Sequence, residues 1–304
     1  MAISRAQLVK ELEPGLNALF GLEYKRYDNQ HAEIYTNESS DRAFEEEVML
    51  SGFANANVKV EGSGVNYDQS QETYTARYTH DTIALAFAIT EEAIEDNLYD
   101  RISSRYTKAL ARSMSNAKQV KAAAPLNNGL PTADGFDSGD GVSLFNTAHT
   151  TVSGTNVKNT LTTQADLNET SLEQALIDIA AFTDERGLRV AAKGVKMIIP
   201  SANQFSAERL LKSQGRTGTA DNDINAVASM GMVPQGYRVN NFLTDSDSWY
   251  IITDCPNGMK MFTRAPLTTA MEGDFDTGNV RYKARERYVF GFSDPRGVFG
   301  SNAT

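Results

Sequence analysis

Cysteine occurs once in the 304 residues, at Cys255. No intrachain disulfide can form, a cysteine-based zinc cluster is excluded, and a single thiol fits a reducing compartment. Histidine occurs three times, at His31, His80 and His149, and none has a second histidine or a cysteine at metal-ligand spacing. The motifs G-x-x-x-x-G-K-[ST] and G-x-S-x-G are missing, and Gly62 and Gly64 do not lead into a helical pattern as a phosphate cradle requires. Long apolar runs are missing too. No stretch approaches the ~18 residues of a membrane span, and MAISRAQLVKELEPG lacks the apolar core of a secretory signal, so neither is expected. There is also no basic surplus. Acidic residues outnumber basic ones by 39 to 29, for a net charge of −10. That balance argues against a dedicated nucleic-acid binder and favours a soluble surface that does not condense on DNA.

What is present is a globular composition, 40% hydrophobic and 22% charged, in a chain long enough for one large domain or two ordinary ones. Its most informative stretch runs from residue 74 to 124. A strand pattern with Ile83, Leu85, Phe87 and Ile89 on one face leads into a helical pattern from Thr90 to Ala124 that contains neither proline nor glycine. Thr90 is the expected cap, with Glu91 and Glu92 at the positive end of the helix dipole. Such a helix spans roughly 50 Å, which suggests an elongated subunit packed against copies of itself. Its apolar residues Ile94, Leu98, Ile102, Tyr106, Leu110 and Met114 recur every four positions, so the stripe spirals. The early part is expected to pack on the subunit's own sheet, and the end near Lys118 and Lys121 to be exposed or to meet another subunit. A seam buried throughout would instead indicate a compact bundle.

Before this stretch, residues 1 to 51 read as a polar arm that lies on a partner. It holds a short helix at Arg5 to Leu12, stopped by Pro14 and Gly15, and a second at Asp41 to Leu50. Residues 52 to 86 read as a protruding β-hairpin with its tip at Gly62 to Gln71. After a loop-rich segment, Thr170 with Glu173 predicts a capped helix ended by Gly187, and Val195 to Ile199 predicts a buried strand. Ser201 with Gln204 predicts another capped helix. Strands are expected at Tyr237 to Leu243, Trp249 to Thr253, Lys260 to Thr263 and Val280 to Phe292. The mixed order gives an α+β class.

Few residues suggest chemistry. His149, in the loop sequence FNTAH, could act as a general base with a nearby carboxylate in a hydrolase, against the plainer reading of a hydrogen-bonded structural histidine. Asp134, Asp137 and Asp140 could hold a hard cation, yet their spacing does not fit a calcium loop and a solvated turn is the default. One charge pattern is regular: Arg281, Lys283, Arg285 and Arg287 alternate along a strand and so share one face. Three roles suit it: a solvated sheet face, a DNA-facing patch, or an intersubunit surface for an acidic segment such as Glu61, Asp68, Glu72 or Asp81.

The order of these parts, with the segments HDTIALAFAITEEAIEDNLYDRI, SLFNTAHTTVSGTNVKNTL and VKMIIPSANQFSAERLL, resembles a tailed-bacteriophage major capsid protein of the Hong Kong 97 fold, in the Mu-like prophage major head subunit group. The resemblance implies an N-terminal arm at 1–51, an extended loop at 52–86 that lies over a neighbour, and a peripheral domain at 87–165 with a spine helix at 90–124. It further implies an axial domain at 166–236, with 237–304 adding axial strands and returning to the peripheral domain. It implies a structural, non-enzymatic protein of the virion, needing no cofactor or metal. Such subunits form hexamers and pentamers in an icosahedral shell around double-stranded DNA, which they touch weakly and without sequence preference. Assembly in the host bacterial cytoplasm with a portal protein and possible decoration or cement proteins is implied too. The ~50 residues before the loop are too few for a fused scaffold, so a separate scaffolding protein is implied. Lys59 has no identifiable acceptor, so no loop cross-link is expected. A non-viral, encapsulin-like compartment shell is the alternative within the same fold.

Overall fold

The computed structural model describes residues 5–90, 92–93, 99–130, 138–216, 223–274 and 278–302. Its most regular alternation is in the strand β11, Val280–Phe292, in which every even-numbered residue is buried while Arg281, Lys283 and Arg285 are exposed. Side chains of a strand point alternately to its two faces, so one strand can floor a core and still present charge to water. β11 pairs antiparallel with β10 (Met259–Gly273) and with β4 (Asp81–Ile89), and β1 (Thr36–Ser39) adds in parallel to β10, giving the order β1-β10-β11-β4. The even-numbered face is covered by two helices, α1 (Arg5–Arg26) and α2 (Tyr99–Asn127), through Leu16, Phe20, Leu110, Ala111 and Met114 against Tyr282 and Ala284.

A second sheet has the order β12-β9-β7-β8, from β7 (Gly194–Ile199), β8 (Tyr237–Val239), β9 (Trp249–Thr253) and β12 (Val298–Ser301). Alternation again divides it. Met197, Ile199, Trp249 and Ile251 face one core, shared with the helices α3 (Glu169–Ala180), α4 (Gln204–Lys212) and α5 (Ala226–Met230). Ile198 and Tyr250 face the other way, into a central core with Tyr35, Ala122, Leu126, Phe145, Met259 and Phe290. That central core joins the two sheets, and the C-terminal turns of α2 sit inside it. A buried ion cluster reinforces the join. Arg296 Nε lies 2.8 Å from Asp294, its Nη2 3.3 Å from Glu185, and its Nη1 donates to the carbonyl of Thr183 at 2.8 Å. Beside it the backbones of Gly258 and Gly297 cross so closely that a Cβ on Gly297 would lie 2.2 Å from the Gly258 Cα.

Several expectations are corrected by these packings. The N-terminal helix runs through Pro14 and Gly15, because Leu16, Phe20 and Tyr24 form an i, i+4, i+8 stripe on α2 and β11; Phe20 is 2% exposed. Burying two such side chains contributes roughly 3–6 kcal/mol, enough to offset the ~3 kcal/mol of an interior proline. The arm therefore lies on its own subunit, and β1 is part of its sheet. Residues 44–50 form a strand, β2 (Phe44–Leu50), where a helix was expected; it pairs antiparallel with β3 (Glu72–Thr79). The hairpin thus begins before residue 52, and residues 51–71 between its strands contain no strand. The α3 capping box is Asn168 with Ser171, and α3 ends at Ala180, with Gly187 (φ 84°) in a later turn. α4 follows a short 3-10 turn at Ser201–Asn203 and has no side-chain cap. β8 is shorter than expected and β10 much longer. The last strand, β12, returns to the second sheet.

The spine helix is corrected in direction. Residues 91 and 94–98, with Ile94 and Leu98, lie outside the described residues, as does the side chain of Ile102. Tyr106 is exposed, while Leu110, Met114, Gln119, Ala122, Ala123 and Leu126 are buried. Among the described residues the later end is therefore the most deeply packed, inside the central core that the two sheets share, while α1 covers the turns from Leu110 to Met114. Burial, and then the charge of Lys118, push the His31 imidazole down to about 4; as the neutral form it accepts from Gln119 Nε2 at 2.9 Å, tying the turn at Gln30–Glu33 onto α2. Lys118 reaches Glu286 at 3.2 Å, and Glu286 is 1% exposed. Burial raises the Glu286 carboxyl despite that lysine. Removing one partner of a buried pair leaves an uncompensated charge, so Lys118→Met is expected to cost about 3–5 kcal/mol in urea unfolding at neutral pH. The deficit is expected to shrink as pH falls and the raised Glu286 carboxyl takes up its proton.

Candidate assembly surface

Two surfaces carry side chains that the fold does not use. The first is the segment between β2 and β3. Ser51 N donates to the carbonyl of Gln71 at 2.9 Å and Gln71 N to Ser51 Oγ at 3.0 Å, which closes the neck of the loop. Beyond it, Phe53, Val58, Val60, Val65 and Tyr67 are all exposed, Val58 at 95% and Tyr67 at 94%. Contiguous apolar exposure of this kind marks a contact surface. The hairpin that carries it is firmly seated. Tyr78 packs on Phe262 with ring centroids 4.8 Å apart and lies over Gly291, where a Cβ would meet its ring at 2.6 Å. Its hydroxyl bonds Ser293 Oγ, which also bonds Glu47; Glu47 in turn holds the buried Lys260 together with Glu38.

The second surface is the odd-numbered face of β11. Register sets Arg281 between Ala88 and Glu272, Lys283 between Ala86 and Ala270, Arg285 between Ala84 and Thr268, and Arg287 between Thr82 and Ala265. The cations form a column about 20 Å long, from ~3.4 Å per residue, with small residues along most of both sides. Arg281 pairs with Asp274 of its own hairpin; for Lys283, Arg285 and Arg287 no ion pair occurs among the described residues. Like charges on one face repel, and acids at the flanking positions would relieve that at no steric cost. Apart from Glu272 beside Arg281, alanines and threonines stand there instead.

The sequence-predicted acids do not meet this column within the chain. Glu61 and Glu72 are exposed on the loop and at the start of β3. Asp68 faces Arg186 at 3.9 Å. Asp81 stands opposite Tyr288, on the other face of the sheet, and pairs with Lys121 at 2.6 Å; as part of an intramolecular pair it is withdrawn from the acidic set. Arg186 and Arg296 were missed, since nothing in a single arginine's sequence context marks its partners.

His149 is a structural histidine. It is 4% exposed, with Nδ1 2.7 Å from Asp140 and Nε2 3.1 Å from the carbonyl of Leu144. Asn159 braces the same corner by donating to the carbonyls of Leu144 and Pro295. The cleft beside Asp140 and His149 encloses about 10 Å³, room for one water at most. The hydrolase reading has no room for a substrate. Asp134 and Asp137 lie outside the described residues, Asp140 is committed to His149, and among the described residues no three metal-ligating side chains gather. Burial tends to raise the Asp140 carboxyl, but hydrogen bonds from His149, Val142 N and Ser138 outweigh it and hold the carboxyl below its ordinary value. A depressed carboxyl stabilises the fold above its unfolded pKa and loses that contribution as pH falls through the folded value. Asp140→Asn is therefore expected to lower stability by about 1.5–3 kcal/mol at pH 7, with the gap to the parent closing in thermal melts taken below the usual carboxylate range.

The model of the phage capsid protein family matches residues 73–301. The chain belongs to that family. No curated protein sequence matches it. Among solved structures, the capsid of an empty GTA particle is similar with a TM-score of 0.58 and 14% identity, covering 91% of this chain and 91% of that one. The capsid of Myoviridae phage XM1 is similar with a TM-score of 0.53 and 12% identity, covering 89% of each chain. The virus-like particle from Pyrococcus furiosus is similar with a TM-score of 0.53 and 10% identity, covering 94% of this chain and 98% of that one. The architecture is the Hong Kong 97 type of tailed-phage capsids. This capsid protein is a structural component of the virion shell, a role that needs self-association and no active site.

Proposed function

We propose that this capsid protein is the major head subunit of a Mu-like tailed phage, assembling as hexamers and pentamers around double-stranded DNA. The carrying observation is the loop at 51–71, which exposes five large apolar side chains on a firmly seated hairpin. An isolated chain gains nothing from that arrangement; a neighbour that covers them does. The cationic column of β11 is the complementary surface, receiving an acidic loop segment of a neighbouring copy with Glu61 and Glu72. A column on an acidic chain favours contact between copies over contact with DNA, and the net charge of −10 keeps the shell from trapping its genome. The first sheet with α2 corresponds to the peripheral domain and the second sheet with α3, α4 and α5 to the axial domain. A separate scaffolding protein and a portal protein complete the assembly, which takes place in the host cytoplasm. The family match favours a phage head over a compartment shell.

Electron microscopy of the chain co-expressed with its scaffolding protein is expected to show closed shells. Replacing residues 55–67 with a short Gly-Ser link is expected to leave a folded subunit, with a far-ultraviolet spectrum like that of the parent, that forms no stable shells; normal shells would refute the loop assignment. Changing Lys283 and Arg285 together to Glu is expected to reduce shell yield about tenfold while stability shifts by only about 0.5 kcal/mol per site, as for exposed positions. Unimpaired yield would remove the column from the interface.

A further inference from the structure

Among the described residues, one side chain outside the loop at 51–71 bonds into it: Arg186. It grips both arms of the neck. Its Nη2 donates to the carbonyl of Gln69 at 2.5 Å and lies 3.9 Å from Asp68 Oδ1. Asp68 in turn accepts from Ala54 N at 2.7 Å with its other oxygen, and from Gln69 N at 2.8 Å. One guanidinium thus binds the returning arm directly and the outgoing arm through a carboxylate. The two N–H donors, and to a lesser extent the arginine, hold the Asp68 carboxyl below its ordinary value.

The other end of this connection is rigid. Arg186 sits in a tight turn in which Asp184 Oδ1 accepts from Arg186 N at 2.9 Å and from Leu188 N at 2.8 Å. Gly187 supplies the left-handed residue that the turn requires, at φ 84°. The preceding Glu185 is buried and fixed by Arg296. Arg186 Nε is itself buried with no acceptor, so the side chain's recorded bonds are those to the loop. The neck is therefore referenced to the second sheet's core as well as to the first sheet through Tyr78 and Lys260.

We propose that Arg186 is a positioning residue that latches the neck of the extended loop, setting its direction before assembly. A loop held only at its strand ends swings, and docking it then costs the entropy of stopping that motion; a latch removes this cost in advance. The long side chain suits the task because its terminal Nη2 carries both contacts, donating to the Gln69 carbonyl and standing within ion-pair distance of the Asp68 carboxylate. The proposal rests on the reading that the loop reaches a neighbour, and it can be tested apart from that reading.

In a Cys255→Ser background, nitroxides at Asn66→Cys and Gln204→Cys report the distance between loop and body by pulsed electron spin resonance on the unassembled chain. A narrow distance distribution is expected, clearly broadened by Arg186→Ala and partly restored by Arg186→Lys, with an unchanged melting temperature. Equal widths with and without Arg186, or a width unchanged while only the melting temperature drops, overturn the latch. In the second arm, the concentration at which shells form with scaffolding protein is expected to rise about tenfold for Arg186→Ala. Broadening with an unchanged threshold upholds the latch and overturns the reading that the loop docks on a neighbour.

Discussion

The two-residue period of β11 is the constraint on which the rest of this subunit depends. It lets a single strand lay a hydrophobic floor for α1 and α2 while holding a column of cations on the opposite side. A slip of one residue would drive Arg281, Lys283 and Arg285 under the helices and turn Tyr282 and Tyr288 out to water. The register is pinned from both flanks, by β4 along most of the strand and by β10 across a pair of irregularities at Thr263, Ala265 and Thr268. The extra residues there belong to β10, whose outer half extends beyond β1.

The two sheets are joined by a shared apolar core and a shared polar cluster. Tyr250 and Ile198 from the second sheet meet Phe290, Met259 and the end of α2, so the spine helix belongs to both halves. Arg296 does with charge what Tyr250 does with apolar area, bridging Thr183 and Glu185 to the 3-10 turn that leads into β12. The elements that carry the proposed intersubunit surfaces are thereby fixed relative to each other. In a shell, errors of orientation accumulate from subunit to subunit, so this rigidity is functional.

Much of this was legible in the sequence. The strands at 249–253 and 280–292 stand where alternation and apolar density place them, and the order of parts was enough for the family. The failures share a cause. Pro14 and Gly15 are local stop signals, and they lost to the burial of Leu16 and Phe20 on a surface about 90 residues away in sequence. Asp41 to Leu50 read as a helix, but the strand there is stabilised by pairing with β3 and by the distant Lys260 and Arg77. The spiralling stripe on α2 counted only large apolar residues. The buried face is completed by Ser103, Thr107, Ser115 and Gln119, which read as solvent-facing until their partners are known. The cationic column was visible because it follows from one strand's alternation, whereas the Asp81–Lys121 pair that removed one predicted acid needs the sheet's register and the helix above it.

The crossing of Gly258 and Gly297 bears on how such a chain can change over time. Neither glycine is held there by an unusual backbone angle; each is required by the other's absence of a side chain, with the Cα of one already filling the Cβ position of the other. Most core contacts can drift through paired changes, one residue growing as its neighbour shrinks. This pair cannot, because both members are at the smallest possible size. Among relatives whose sequences have diverged almost completely, this crossing is expected to stay glycine on both strands wherever the two backbones meet at this distance.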